Sequence, residues 1–292
     1  MRKIKELFIE KTLLSSALIT IAITFGIILV LAVEAFRFFK KISIIDFFTD
    51  TQWTPLFADK HYGILPLLSG TLITSFIAIS VALPIGLSIS IYLSEYAPKS
   101  FRKTIKPLLE LLAAVPTVVY GFFALIVVTP FLQGLIPGLS GFNSLSAGFV
   151  MGIMIIPYIS SISEDALYAV PKELREASYG MGATKFQTAF KIVVPAASSG
   201  IIVSIILAIS RAIGETMIVA IAAGQQPRLT LNPTVPIETI TAFIVQVSLG
   251  DVQHGSIEYR TIFAAGITLF VFTFLLNTIS YRIRKKYQEK YE

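Results

Sequence analysis

The chain has 292 residues, 54 % hydrophobic and 14 % charged, with a mean hydropathy of +0.77 and a formal net charge of +6. That composition excludes an ordinary soluble domain and points to a polytopic membrane protein. There is no cysteine, so disulfides and thiolate metal sites are excluded as well.

In chain order, apolar segments of ~18 residues or more run over roughly 12–33, 67–93, 108–132, 145–163 and 261–281, each long enough at ~1.5 Å per residue to cross ~30 Å of hydrocarbon. The segment 197–223 is a sixth, apart from Arg211 and Glu215. Backbone groups in lipid must be satisfied within their own segment, so all six are predicted to be helices. The first follows a basic tail but lacks a clear small-x-small cleavage site, and reads as a retained helix. Pro84, Pro116, Pro130 and Pro157 are expected to kink their spans. In the loop 34–66, Phe47, Phe48 and Trp53 suit the headgroup level. "TITAFIVQVSLG" at 239–250 is too short to span and reads as an external amphipathic or re-entrant element.

Lys and Arg set the orientation. Seventeen of the 24 fall in the amino-terminal tail, 94–107, 164–195 and the carboxyl-terminal tail, and six on the other side: Arg37, Lys40, Lys41, Lys60, Arg228 and Arg260. The positive-inside tendency then puts both termini in the cytoplasm, the protein being multi-pass in the cytoplasmic (inner) membrane. The net charge reflects this topology and calls for no nucleic-acid partner. The expected organisation is one transmembrane domain over 1–292.

Residues 171–195, "PKELREASYGMGATKFQTAFKIVVP", are too polar to cross yet patterned. Pro171 suits a first helical turn, and Leu174, Ala177, Ser178 and Met181 share a face. Gly180 and Gly182 permit a turn with positive φ. Thr184 and Gln187 make a capping signature for a second helix with Phe186, Ala189, Phe190 and Val193 on one face, ended by Pro195. The spacing predicts a helix–turn–helix lying on the cytoplasmic surface, either a plain connector or a docking element.

Arg211 and Glu215, at i and i+4 of the sixth span, are expected to share a helix face and cannot face lipid singly without a cost of several kcal/mol. They neutralise each other as an architectural pair, or they line a path, with the guanidinium offering bidentate donors to an oxyanion and the carboxylate holding it. Gly200, Ser204, Ala208, Ala212, Thr216, Ala220 and Gly224 form a stripe of small residues on the same helix that lets a neighbour approach closely.

Glu176-Ala177-Ser178, Gly182, Ile192 and Pro195 resemble the E-A-A-x3-G-x9-I-x-L-P signature of ABC importer permeases, with Ser178 for the second alanine and Val194 for leucine. "GTLITSFIAISVALPIGLSISIYLSEYAP" (70–98), "LLELLAAVPTVVYGFFAL" (108–125) and "SRAIGETMIVAIAAG" (210–224) are similar to stretches of the PstC-type permease of the phosphate-specific importer. The resemblance implies an all-α, six-span type I (MetI-like) permease fold in which 171–195 is the coupling loop seated in an ATPase subunit. It implies a PstA-type permease as heterodimer partner, two ATPase subunits and an extracytoplasmic phosphate-binding protein. It also favours Arg211, Glu215 and Thr216 as the substrate path for inorganic phosphate. Another oxyanion, such as sulfate, molybdate or tungstate, and an ATPase-independent channel are the alternatives.

No G-x4-G-K-[ST] loop occurs, so ATP hydrolysis is assigned to the partner and no cofactor to this chain. No catalytic constellation is present. His61 and His254 read as surface residues rather than metal ligands. Glu164 and Asp165 read as solvated charges, and Glu110 as a partner for Lys106.

Overall fold

The computed structural model describes the backbone of residues 2–287 and the side chains of 6–282; the side chains of Arg2, Lys3, Lys5, Arg284, Lys285, Lys286 and Lys290 lie outside the described residues. Among these there is no strand, only two isolated bridges, Trp53 with Tyr62 and Gly224 with Ile237. The chain begins with α1 (Arg2–Phe39), a short α2 (Ile44–Thr49) and α3 (Leu65–Ile91), followed by α4 (Lys99–Ala114), α5 (Thr117–Phe123), α6 (Thr129–Leu135) and α7 (Ser144–Tyr168). Short helices α8 (Lys172–Gly180), α9 (Lys185–Thr188) and α10 (Val194–Ala196) lead to α11 (Ser198–Ile213), α12 (Met217–Ala222), α13 (Ile240–Leu249) and α14 (Ile257–Tyr287).

Five stretches are long and apolar enough to cross a bilayer: Glu6–Phe39, Leu65–Tyr96, Thr117–Leu135, Ser144–Tyr168 and Ile257–Arg282. The sixth passes only as a bent pair, Lys185–Ala196 and Ser198–Ile213, meeting at 71°. Two helix boundaries differ from the sequence expectation. The third crossing starts at Thr117 rather than 108, because Pro116 forces Val115 into extended backbone and ends α4 there. Residues 108–114 instead belong to α4, which buries none of its residues. The segment 197–223 is not one helix, since it breaks at Gly214–Thr216 between α11 and α12.

The prolines act unequally. Pro84 and Pro157 sit inside continuous helices. Three wide π-turns, Tyr92–Tyr96, Ala124–Val128 and Ala189–Val193, each end two residues before a proline: Pro98, Pro130 and Pro195. In each, the residue just before the proline donates its N–H five residues back, as Ala97 does to the Tyr92 carbonyl. A proline ring collides with the carbonyl four residues back, and widening the preceding turn moves that carbonyl aside.

The core is built on α3 and α7, which run parallel. Ideal Cβ atoms on Gly148 and Gly152 would stand 2.8 Å from the Cβ atoms of Ile77 and Val81, and one on Gly86 would stand 2.8 Å from that of Ile159. Without a hydrophobic drive between helices in lipid, such close approach supplies the dispersion contact that holds them. On the other side of α7, α11 runs antiparallel: Ser163 and Ser204 hydroxyls meet at 2.7 Å, and a Cβ on Gly200 would lie 2.3 Å from that of Ala166. Gly200, Ser204, Ala208 and Ala212 of the small-residue stripe therefore face α7; beyond the break the stripe no longer shares that face. At the periphery α1 packs on α14, with Gly266 against Leu31 and Arg260 Nε 3.3 Å from Glu34. Its hydroxyls Thr12, Ser16, Thr20 and Thr24 each donate to the carbonyl four residues back, which satisfies them in hydrocarbon.

The sequence reading assigns all three rings to the headgroups, but at the end opposite the basic loops Phe47 and Trp53 are packed inside the protein and only Phe48 of the three is exposed. Edge-to-face contacts link Phe38, Phe47, Trp53 and Phe243, the last pair at 4.9 Å. The partner that buries Trp53 thus comes from α13, which does not span and whose Ile240, Thr241, Ala242, Phe243 and Val247 are buried. His61 Nδ1 lies 2.8 Å from Asp50, a hydrogen bond that, against the opposing effect of burial, raises the imidazole pKa.

Gly152→Val would force α3 and α7 apart and is expected to cost about 1–3 kcal/mol of stability. Gly134→Ala, where an added Cβ meets nothing within 4 Å, should be silent. Size-exclusion chromatography after graded heating in detergent would show a lower half-loss temperature for the first variant only.

Candidate functional site

Arg211 lies in the last turn of α11, which ends at Ile213. Glu215 is therefore not on the same helix, contrary to the shared-face expectation; it sits in the break, with its N–H bonded to the Ala212 carbonyl. Its carboxylate does two things. Oε1 accepts from the N–H groups of Met217 and Ile218 at 3.1 and 3.3 Å, capping the start of α12, where backbone donors have no intrahelical partner. Oε2 lies 3.0 Å from Arg211 Nη1, a charge contact rather than an aligned hydrogen bond.

The two members differ in access. Glu215 is buried at 1 % side-chain exposure, whereas Arg211 is 34 % exposed. Arg211 Nη2 meets only the soft acceptor Met154 Sδ at 3.7 Å, so the guanidinium keeps donor capacity on its open side. Thr216 is half-buried, its hydroxyl 3.3 Å from the Gly214 carbonyl. From α13, Thr241 Oγ1 donates to the Glu215 carbonyl at 2.7 Å, while the Ile240 N–H bonds Thr71 on α3. The break is thus tied to α13, and α13 in turn to α3.

The second group is the loop 171–195. Thr184 and Gln187 form a reciprocal capping box at α9, and Gly182 takes φ +80°, which only glycine adopts without strain. Ser178 Oγ and Thr188 Oγ1 meet at 2.9 Å and hold α8 against α9. Glu176, Ala177, Gly182 and Pro195 are exposed and Ile192 is half-buried. The two expected apolar faces are split: Leu174, Ala189 and Val193 turn toward the membrane domain, while Met181 at 89 % exposure, Phe186 and Phe190 turn away. The Phe186 and Phe190 rings lie 4.5 Å apart. The result is an apolar surface patch on a rigid turn.

Sequence reading missed what anchors this loop. Arg175 reaches the Glu95 carboxylate with Nη2 at 2.7 Å and Nε at 3.2 Å, and donates to the carbonyls of Val170 and Leu167. Glu95, 4 % exposed on its side chain, sits in the π-turn that ends the α3 span. A carboxylate directly after an apolar run and an arginine inside the motif were the available signals, but their pairing is a tertiary fact. Glu164 is corrected too: it is buried, not solvated, with Arg102 Nε at 2.5 Å and Lys106 Nζ at 2.9 Å. Lys106 also meets Asp165, so it is engaged there and not with Glu110. Burial opposes the charge on Lys106, but Asp165 and Glu164 outweigh it and raise the pKa. Among the described residues, no group of three or more His, Cys, Asp or Glu converges as metal ligands.

Residues 82–289, which contain every candidate position above, match the family model described as binding-protein-dependent transport system inner membrane component. The chain belongs to this family. It is 35 % identical over 276 residues to a probable ABC transporter permease protein, YqgH, of Bacillus subtilis, covering 94 % of this chain and 89 % of that protein. It is also 35 % identical over 256 residues to the phosphate transport system permease protein PstC of Xylella fastidiosa, covering 81 % and 77 %. Among solved structures it resembles a chain of a bacterial ABC transporter involved in the import of the acidic polysaccharide alginate, with TM-score 0.63, 19 % identity, and coverage of 93 % and 96 %. The all-helical architecture is thus that of an ABC importer permease.

Replacing Arg175 by Gln leaves Glu95 as a buried charge without its partner, a change of about 3–5 kcal/mol where fully buried pairs are broken. The expected readout is faster trypsin cleavage at Lys172, Lys185 or Lys191, with Glu95→Gln restoring part of the protection in the double variant.

Proposed function

We propose that this chain is the transmembrane permease subunit of an ATP-driven importer that carries inorganic phosphate into the cytoplasm. The observation behind the substrate path is the asymmetry at the helix break: Glu215 is committed to capping α12, while Arg211, steered by it, keeps open donors. The similarity to permeases named for phosphate transport supports phosphate as the anion. A guanidinium offers paired donors that match an oxyanion, and the neighbouring carboxylate keeps the well shallow enough for release.

In this reading the termini and the 171–195 loop face the cytoplasm. A PstA-type permease forms the other half of the pore, two ATPase subunits lie beneath, and an extracytoplasmic phosphate-binding protein docks above. Glu176, Ala177, Ser178, Gly182, Ile192 and Pro195 shape the coupling element, and Met181, Phe186 and Phe190 give it an apolar contact for the ATPase cleft. ATP binding draws the two coupling elements together. The bond from Arg175 to Glu95 passes that displacement into α3, and α10 passes it into α11. The permease then exchanges an inward-open for an outward-open state, which requires the ATPase to bind the two states unequally. Arg211, Glu215 and Thr216 line the route that phosphate takes between the permeases.

Uptake of labelled phosphate by cells or proteoliposomes tests this. Arg211→Gln is expected to lower uptake at least tenfold at normal membrane abundance, and Glu215→Gln, which keeps a capping oxygen, to lower it less. Normal uptake in both variants would remove the pair from the path, and equal competition by sulfate or molybdate would remove the phosphate assignment.

A further inference from the structure

Glu95, Glu164 and Glu215 each bury a carboxylate against a guanidinium. Glu238 is buried as deeply, at 1 % exposure, and its Oε1 has no hydrogen-bond partner. It lines a cavity of ≈ 400 Å³ at the end opposite the basic loops, walled by the Trp53–Phe57 stretch, the turn at Gln225–Pro227, and Phe243 and Gln246 of α13. Among the described residues no cation pairs with this carboxyl group. The nearest cation along that turn, Arg228, donates to Gln226. The other charges of the 50–62 loop are engaged with one another or with α14: His61 with Asp50 and Asp59, and Lys60 with Glu258. Beneath Glu238 lies α3, where a Cβ on Gly70 would stand 2.1 Å from the Glu238 carbonyl oxygen, so backbone packing fixes the residue.

An isolated buried carboxyl group either holds its proton or meets a counter-ion, and the cavity beside Glu238 leaves room for one. The cavity walls are mainly apolar and aromatic, with Leu56, Phe57, Trp53 and Phe243, which suit an aliphatic stem and a cation over a ring. A second buried polar atom, Trp53 Nε1, also lacks a partner; an indole N–H is a donor that a peptide carbonyl satisfies. We propose that this cavity is a receptor for one basic side chain of another polypeptide, a lysine or arginine whose stem lies on Leu56, Phe57 and Phe243 and whose head pairs with Glu238. That the polypeptide is the docking phosphate-binding protein rests on the function proposed above; the chemistry of the cavity does not.

Burial pushes the Glu238 carboxyl up to about 8, so an entering cation must displace a proton. No other residue lining the cavity titrates, and Gly70 and Thr71 beneath it carry no charge. Occupancy therefore strengthens as pH rises through that value, with affinity about tenfold higher at pH 9 than at pH 7.

Trp53 is the single tryptophan of the chain, so emission of the purified full-length protein in detergent, excited at the red edge where tyrosine does not absorb, reports on this cavity. Titration with acetyl-lysine methylamide is expected to give a saturable emission change with the stated pH dependence, weakened at least tenfold by Glu238→Gln. Leu56→Lys, placing a tethered cation at the exposed rim, should abolish it by occlusion and serves if the first variant folds poorly. The proposal is overturned by an equal response to the neutral norleucine analogue, or by unchanged affinity in both variants. Equal affinity for n-butylammonium would overturn the polypeptide as the source. In the assembled transporter, Glu238→Gln should raise about tenfold the concentration of binding protein that half-maximally stimulates ATP hydrolysis, with the plateau unchanged. An unchanged half-point there would overturn the binding protein as partner, whereas absence of stimulation in the wild type would strike the proposed function and leave the emission result standing.

Discussion

Hydrocarbon does not solvate charge, and the positions of the buried carboxylates follow from that constraint. Glu95, Glu164 and Glu215 all lie where a span ends or breaks, and each takes a guanidinium from another element: Arg175 of α8, Arg102 of α4 and Arg211 of α11. Such pairs add little net stability compared with apolar packing, because both ions lose water on burial. Their contribution is geometry, since breaking one leaves an unanswered charge. The pairs fix where the loop elements sit on the ends of the bundle, while α3 and α7 hold the bundle together through apolar and glycine contacts. Stability and positioning are therefore carried by different residues.

The same division explains what could be read from the sequence. Apolar run length is local, and it located the spans in α1, α3, α7 and α14 to within a few residues or a turn or two. The capping box at Thr184 and Gln187 is local as well, and so is the positive φ at Gly182. Phe47 and Trp53 were misplaced because an interfacial belt and a buried aromatic cluster have the same composition. Residues far along the chain, Phe243 first among them, distinguish the two. The Arg175–Glu95 pair was invisible for the same reason. The third crossing was started too early because "LLELLAA" is apolar enough to pass as lipid-facing, while the stop imposed by Pro116 on Val115 is a backbone effect that hydropathy does not register.

Proline shapes this fold through the turn that precedes it. Pro84 and Pro157 are absorbed within continuous helices, yet Pro98, Pro130 and Pro195 each come after a widened turn. A π-turn rotates the downstream helix relative to an ideal one, and so changes which face of the next segment meets its neighbours. At Ala189–Val193 this is why Phe186 points away from the membrane domain while Val193 packs under it. At Tyr92–Tyr96 the same device sets Glu95 toward Arg175. Periodicity arguments that assume a constant 3.6 residues per turn fail at these points, and it is there that the second helix of the 171–195 loop departs from its expected face.

The break at Gly214–Thr216 separates two packing environments. Before it, α11 lies on α7 through Gly200, Ser204 and Ala208; after it, α12 lies on α5, where a Cβ on Gly121 would stand 2.9 Å from the Ile221 side chain. In the proposed function a displacement entering through α10 reaches α11 first, and α11 and α12 are not one rigid rod, because the regular helical hydrogen bonds stop at the break and the Glu215 N–H, the Glu215 carboxylate and the Thr216 hydroxyl bridge it instead. Hinges are the few residues that absorb such a difference in φ and ψ. Glu215 is placed to set the angle across the break by gripping α12 with one oxygen and Arg211 with the other, so the direction of the guanidinium depends on that angle. In the proposed function, the motion that opens the pore and the reorientation of the anion contact are then one event, because a single carboxylate belongs to both.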